Sequence, residues 1–169
     1  MGMRANFEED YTGDTLQGSY IGGVYYPDKT RVGWWKNGYP EYFAKVLNAP
    51  SWIGLHIKIN GELLDLNTCL EVKNFRRQLN MKEGWYERSF TAMLPNQQEI
   101  QVKVLRFLSL RYDELGALRY EITPITTEAT IEIESYLDSG IKNSDANWDE
   151  RFWNTLEISS EDNFATILA

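Results

Sequence analysis

The chain has 169 residues, 43% hydrophobic and 14% aromatic, with a formal net charge of −8 and a single cysteine. That is the size of one domain, which buries roughly 70% of its unfolded surface, and such aromatic content excludes disorder. An acidic balance with scattered Lys and Arg excludes an electrostatically driven nucleic-acid ligand. No run approaches the ~20 apolar residues of a membrane span, and MGMRANFEED lacks the apolar core of a signal peptide, so a cytoplasmic protein without a membrane partner is expected.

In chain order, Glu8, Glu9 and Asp10 form an acidic run that reads as solvated surface. Gly18 to Pro50, GSYIGGVYYPDKTRVGWWKNGYPEYFAKVLNAP, interleaves tyrosines and tryptophans with glycines, basic residues and turn formers. Flat rings beside polar groups suit either a sugar or a protein partner. Within it Pro40 is placed to open a short helix over Tyr39 to Asn48, with Tyr42, Phe43, Val46 and Leu47 on one side.

From Trp52 onward the period changes to two. Ile53, Leu55, Ile57 and Ile59 alternate with Gly54, His56 and Lys58, and Asn60-Gly61 signals a type I′ hairpin. Tyr86, Arg88, Phe90, Ala92 and Leu94 form a second alternating set, ended by Pro95-Asn96, and Ile100, Val102 and Val104 begin a third. Val102 to Leu110 is apolar on both faces, as in a central strand covered on both sides. Leu115 to Ile122 and Ile131 to Leu137 complete a mainly β chain, an antiparallel β-sandwich with one or two short helices. The second helix candidate is Asp145 to Asn154, led by acids. No internal repeat or linker is visible, so residues 1–169 read as one domain.

Few constellations suggest chemistry. His56 and Cys69 stand alone, with no partner spacing for a triad or a metal site, and Gly18, Gly22, Gly23 and Gly33 match no phosphate-binding loop. Cys69, between apolar neighbours in LNTCLEV, reads as a small buried side chain. No catalytic residue, metal or cofactor is assigned. The candidates are Trp34, Trp35, Lys36, Asn37 and Tyr39 in the aromatic stretch, with Trp148, Asp149, Arg151 and Trp153, and Phe152 between the last two, near the C-terminal end. They read as an interface or docking surface, with the mouth of a sugar pocket as the competing reading.

Three segments carry a resemblance: ANFEEDY (Ala5 to Tyr11), the Gly18 to Pro50 stretch, and YLDSGIKNSDANWDERFW (Tyr136 to Trp153). Together they resemble the N-terminal domain of glycoside hydrolase family 65, and within it most the maltose phosphorylases. The resemblance implies a super-sandwich of the galactose-mutarotase type. It also implies a parent enzyme with a catalytic helical barrel, a general-acid glutamate in that barrel, inorganic phosphate as co-substrate, a disaccharide substrate and a homodimeric state. No residue of this chain matches the general acid. The chain is therefore expected to be an inactive fragment of the domain, cut at both ends, with a scaffold role; the alternative is a freestanding carbohydrate-binding sandwich.

Overall fold

The computed structural model describes residues 2–4, 6–30, 38–143 and 151–169. They form thirteen strands and no helix, in two compact units.

The first unit comprises Phe7–Asp14 and Ile53–Tyr136. Its strands are β5 (Ser51–Ile59), β6 (Glu62–Leu63), β7 (Glu71–Asn80), β8 (Trp85–Met93), β9 (Glu99–Leu108), β10 (Gly116–Pro124) and β11 (Ile131–Asp138). Two sheets result, a four-stranded one in the order β10-β9-β8-β7 and a three-stranded one in the order β11-β5-β6. Every neighbour in the four-stranded sheet is antiparallel.

The alternation read from the sequence sets which face is buried. Leu55, Ile57 and Ile59 of β5, with Leu64, meet Phe90 and Ala92 of β8, Leu94 just after it, and Ile100, Val102 and Val104 of β9 in one cluster. Each contributes roughly 1.5–3 kcal/mol of transfer free energy for the larger side chains, enough to close two layers face to face. Asn60 and Gly61 both take positive φ, 52° and 81°, and Lys58 pairs with Leu63 across them, the geometry expected of a type I′ turn. Leu94 donates its N–H to the Gln98 carbonyl around the Pro95-Asn96 turn.

Two expectations need correction here. β9 is central, between β8 and β10, but it is covered on one face only: Phe107 is 45% exposed and Leu110, beyond its end, 95%. Polar Gln101 and Lys103 on the outer face already break the apolar pattern. The acidic run near the N-terminus is not solvated either, since Glu8 is 0% and Glu9 3% exposed.

The second unit comprises Met1–Asn6, Thr15–Trp52 and Leu137–Ala169. It is built from three antiparallel ribbons: β1 (Gly2–Arg4) with β2 (Gly18–Tyr20), β3 (Tyr25–Lys29) with β4 (Tyr42–Val46), and β12 (Glu157–Glu161) with β13 (Phe164–Leu168).

The helix expected over Tyr39 to Asn48 is instead β4, its backbone paired with β3 from Lys29↔Tyr42 to Tyr25↔Val46. The supposed apolar side of a helix has no core to face: Tyr42, Phe43 and Val46 are all exposed, and only Leu47 is buried. Tyr-Phe-Ala-Lys-Val, rich in aromatic and β-branched residues, suits a half-open ribbon better. Of the second helix candidate, Asp145 to Glu150 lie outside the described residues, and Arg151 to Asn154 form no helix.

Candidate functional site

Two polar constellations stand out, one in each unit. In the second unit a clasp built on Asn48 joins the aromatic stretch to the C-terminal segment. The Asn48 Oδ1 accepts from the Ser19 N–H at 2.7 Å, and its own N–H donates to Asn143 Oδ1 at 2.8 Å. Asn143 Nδ2 donates to the Val46 carbonyl at 2.8 Å, and Asn48 Nδ2 to the Lys142 carbonyl at 3.0 Å. The Trp153 indole N–H then donates to the Asn48 carbonyl at 2.8 Å. Amide side chains suit this work because each offers donors and an acceptor at once.

The clasp brings Phe152 against the β3–β4 ribbon. Its ring lies 4.8 Å from that of Tyr26, and the Lys45 ammonium sits 4.8 Å from its centre. Lys45 also pairs with Asp28 at 3.2 Å, both side chains being largely buried. Beside this group opens a cleft of about 550 Å³, walled by Tyr26, Asp28, Lys29 and Tyr42 from the ribbon and by Arg151, Phe152 and Asn154 from the segment after it.

Of the residues singled out from sequence, Arg151 lines this cleft and Trp153 anchors the segment that carries it. Tyr39 is exposed and meets Phe43 edge-on at 5.8 Å. Trp34, Trp35, Lys36, Asn37, Trp148 and Asp149 lie outside the described residues. Phe152, weighed with Arg151 and Trp153 as part of a docking surface, also lines the cleft, whereas Tyr26, Asp28 and Tyr42 were not singled out as site residues although they belong to the aromatic stretch.

The first unit holds a buried charge cluster. Arg88, on the inward face of β8 and 1% exposed, donates to Glu9 Oε1 at 2.6 Å and to Glu8 Oε2 and Glu9 Oε2 at 2.5 Å each. Arg106 of β9 donates to Glu8 Oε1 at 2.8 Å, and the Tyr120 hydroxyl of β10 to Glu9 Oε2 at 3.0 Å.

Burial pushes the Glu8 carboxyl above its usual range, against the pull of Arg88 and Arg106. Burial opposes the Arg88 charge, but Glu9 and Glu8 outweigh it and hold the guanidinium above its ordinary value. Desolvation, then Glu9, raises the Tyr120 phenol well above its ordinary value. Both carboxylates are thus consumed by cations and a phenol inside the fold. Neither has an oxygen poised toward a substrate, so the cluster does structural work. Arg88 among the inward-facing residues of an alternating strand was the signal for it, because a buried guanidinium demands carboxylates.

His56 is half exposed, as its place on the polar side of the strand suggests. It is nonetheless engaged, with Nδ1 2.9 Å from Asp10 and its ring stacked 4.3 Å from Tyr136. Cys69 is half-buried against the core, and burial, with Asp65 and Glu9 nearby, pushes its thiol up to about 11.

The sequence from residue 1 to 168 matches the family model of the glycosyl hydrolase family 65 N-terminal domain. The chain belongs to that family. This family 65 domain is 48% identical over 153 residues to the maltose phosphorylase of Bacillus subtilis strain 168, covering 90% of the chain and 20% of that enzyme. It is 29% identical over 164 residues to the α,α-trehalose phosphorylase of Thermoanaerobacter brockii, covering 93% and 20%. To the kojibiose phosphorylase of Caldanaerobacter subterraneus subsp. tengcongensis it is 29% identical over 144 residues, covering 85% and 17%. The solved structure of a chain assigned as a kojibiose phosphorylase from the human microbiome superposes with a TM-score of 0.73 at 26% identity, covering 98% of this chain and 21% of that one. The domain thus spans about a fifth of the length of these relatives, and its all-β antiparallel architecture matches the superposed part of the solved structure.

Proposed function

We propose that this chain is the non-catalytic N-terminal scaffold of a cytoplasmic disaccharide phosphorylase of the maltose type. In the parent enzyme it packs on the catalytic barrel, contributes to a dimer contact and stands near the mouth of the active site. The parent converts maltose and inorganic phosphate to glucose and glucose 1-phosphate. The observation that carries the reading is the 48% identity to a maltose phosphorylase across nearly the whole chain, against identities of 29% to the trehalose and kojibiose enzymes cited above.

The chemistry of the described residues agrees with a scaffold. Phosphorolysis requires a carboxylic acid held against the glycosidic oxygen while phosphate attacks from the opposite face of the sugar. The buried acids Glu8 and Glu9 are tied to Arg88, and Asp10 to His56.

The test is direct. The purified chain, incubated with maltose and inorganic phosphate, releases no glucose, whereas phosphate-dependent glucose release from it overturns the reading. In the complete enzyme, Trp34→Ala with Trp35→Ala weakens the dimer before it raises KM, because large aromatic rings carry interface energy. An intact dimer with a sharply raised KM for maltose would move these tryptophans from the interface to the sugar pocket.

A further inference from the structure

The cleft in the second unit has features that scaffolding does not require. Its volume, about 550 Å³, lies within the roughly 300–1,000 Å³ of small-molecule sites. Two of its rings remain open to water, Tyr26 at 44% and Tyr42 at 51% exposed. Around them stand an acceptor, Asp28, the donors Lys29 and Arg151, and an amide, Asn154, that is both. Flat apolar faces among mixed donors and acceptors are what a pyranose requires, since its ring presents C–H bonds on its faces and hydroxyls at its rim.

The arrangement is also fixed in advance. Lys45 lies over the Phe152 ring at 4.8 Å and pairs with Asp28 at 3.2 Å, so one cation holds both the aromatic wall and the acceptor. The Asn48 clasp and the Trp153 indole hold the segment carrying Arg151 and Phe152. Preorganisation of this kind removes ordering costs from binding.

We infer that this cleft is a non-catalytic binding site for a neutral pyranose sugar, of mono- to trisaccharide size. Lys45 offsets the Asp28 carboxylate and leaves Lys29 and Arg151 as the cations of the wall, so inorganic phosphate is the competing ligand that the test must include. The inference is independent of the scaffold reading: that one rests on glucose release, this one on binding.

The test is titration of the whole chain with glucose, maltose and maltotriose by calorimetry and by ligand-observed NMR, with inorganic phosphate as a competitor. Saturable binding with a dissociation constant on the order of 1 mM is expected, unaffected by phosphate. Phe152→Ala weakens it about tenfold or more, and Arg151→Ala, at an exposed position, weakens it without lowering the melting temperature. Tyr112→Ala, at an exposed position in the other unit, leaves it unchanged. If Phe152→Ala fails to fold, Arg151→Ala and Asn154→Ala decide. Absence of saturable binding, sugar binding indifferent to these substitutions, or displacement of the sugar by phosphate would each overturn the inference.

Discussion

Replacing Arg88 by Met should be among the most damaging single changes to the first unit. The guanidinium is 1% exposed and neutralises two carboxylates that are 0% and 3% exposed. Its removal deletes three charge-assisted hydrogen bonds and, among the described residues, leaves Glu9 with the Tyr120 hydroxyl alone, while Glu8 keeps Arg106. Breaking a buried pair in this way costs about 3–5 kcal/mol, because a desolvated charge is left behind. In a chain of this size that lowers the melting temperature by on the order of 10 °C. Among the described residues the Arg88 Nε already lacks a hydrogen-bond partner, so the native cluster carries a cost of its own. The double variant Glu9→Gln, Arg88→Met, which keeps the Glu8–Arg106 pair and leaves the cluster neutral, should therefore recover most of the loss. Urea denaturation followed by tryptophan fluorescence compares the three proteins. A loss below about 1 kcal/mol for Arg88→Met, or a double variant no better than the single one, would refute the reasoning.

Tyr120→Phe should cost about 1 kcal/mol at neutral pH, the net value of one hydrogen bond. It should also flatten the alkaline loss of stability: the folded phenol titrates above its unfolded value of 10.0, so its contribution is complete below that pH and is lost as pH rises through the folded pKa. A stability profile measured between pH 8 and the alkaline unfolding limit checks both effects. The same sign applies to Glu8, whose contribution is complete below its unfolded value of 4.5 and fades as pH rises through the raised folded pKa; Glu8→Gln should remove that slope. Gly61→Ala should destabilise by about 1–2 kcal/mol from backbone strain alone, since φ is 81° and no atom stands within 4 Å of the added Cβ. Cys69, with its thiol at about 11, carries about 0.1% thiolate at pH 8 and should react with a disulfide reagent far more slowly folded than in urea.

The sandwich was legible where a strand has one buried and one exposed face. In β5, β8 and β9 a one-residue slip would turn every apolar side chain outward, so the pattern of two fixes both the strand and its register. Asn60-Gly61 was legible because few residue pairs accept two positive φ angles in succession. The β3–β4 ribbon was not, because no core covers it. Tyr42, Phe43 and Val46 fit a helical stripe as well as a strand, and the choice is made by pairing with Tyr25–Lys29, earlier in the chain. The cleft was legible only in part for a related reason. Arg151 could be suspected from its aromatic neighbours, but its meeting with Tyr26 and Asp28 depends on hydrogen bonds from Asn48 and Asn143, residues with no periodic signature.

The segment Phe7–Asp14 raises the question of what holds a stretch that is not a strand. Its backbone makes two isolated parallel bridges, Glu9 to Leu55 and Asp10 to Asp65, with the Leu55 N–H donating to the Glu8 carbonyl at 2.7 Å. So little pairing cannot fix a register by itself, and the side chains supply the rest: Glu8 and Glu9 on Arg88, Asp10 on His56, and Thr12 Oγ1 on Asp65 at 2.6 Å. Buried ion pairs seldom add stability over apolar side chains of the same size, but they discriminate sharply between registers, since a shift by one residue would bury unpaired charge. Neutralising the pair by Glu8→Gln with Glu9→Gln should therefore loosen this segment selectively. Hydrogen exchange should rise across residues 7–14 and at the Leu55 amide, while the amides joining β8 to β9 keep their protection. Equal loss of protection in both places would mean that the charges hold up the whole sandwich, and unchanged exchange in residues 7–14 would mean that the backbone bridges alone suffice.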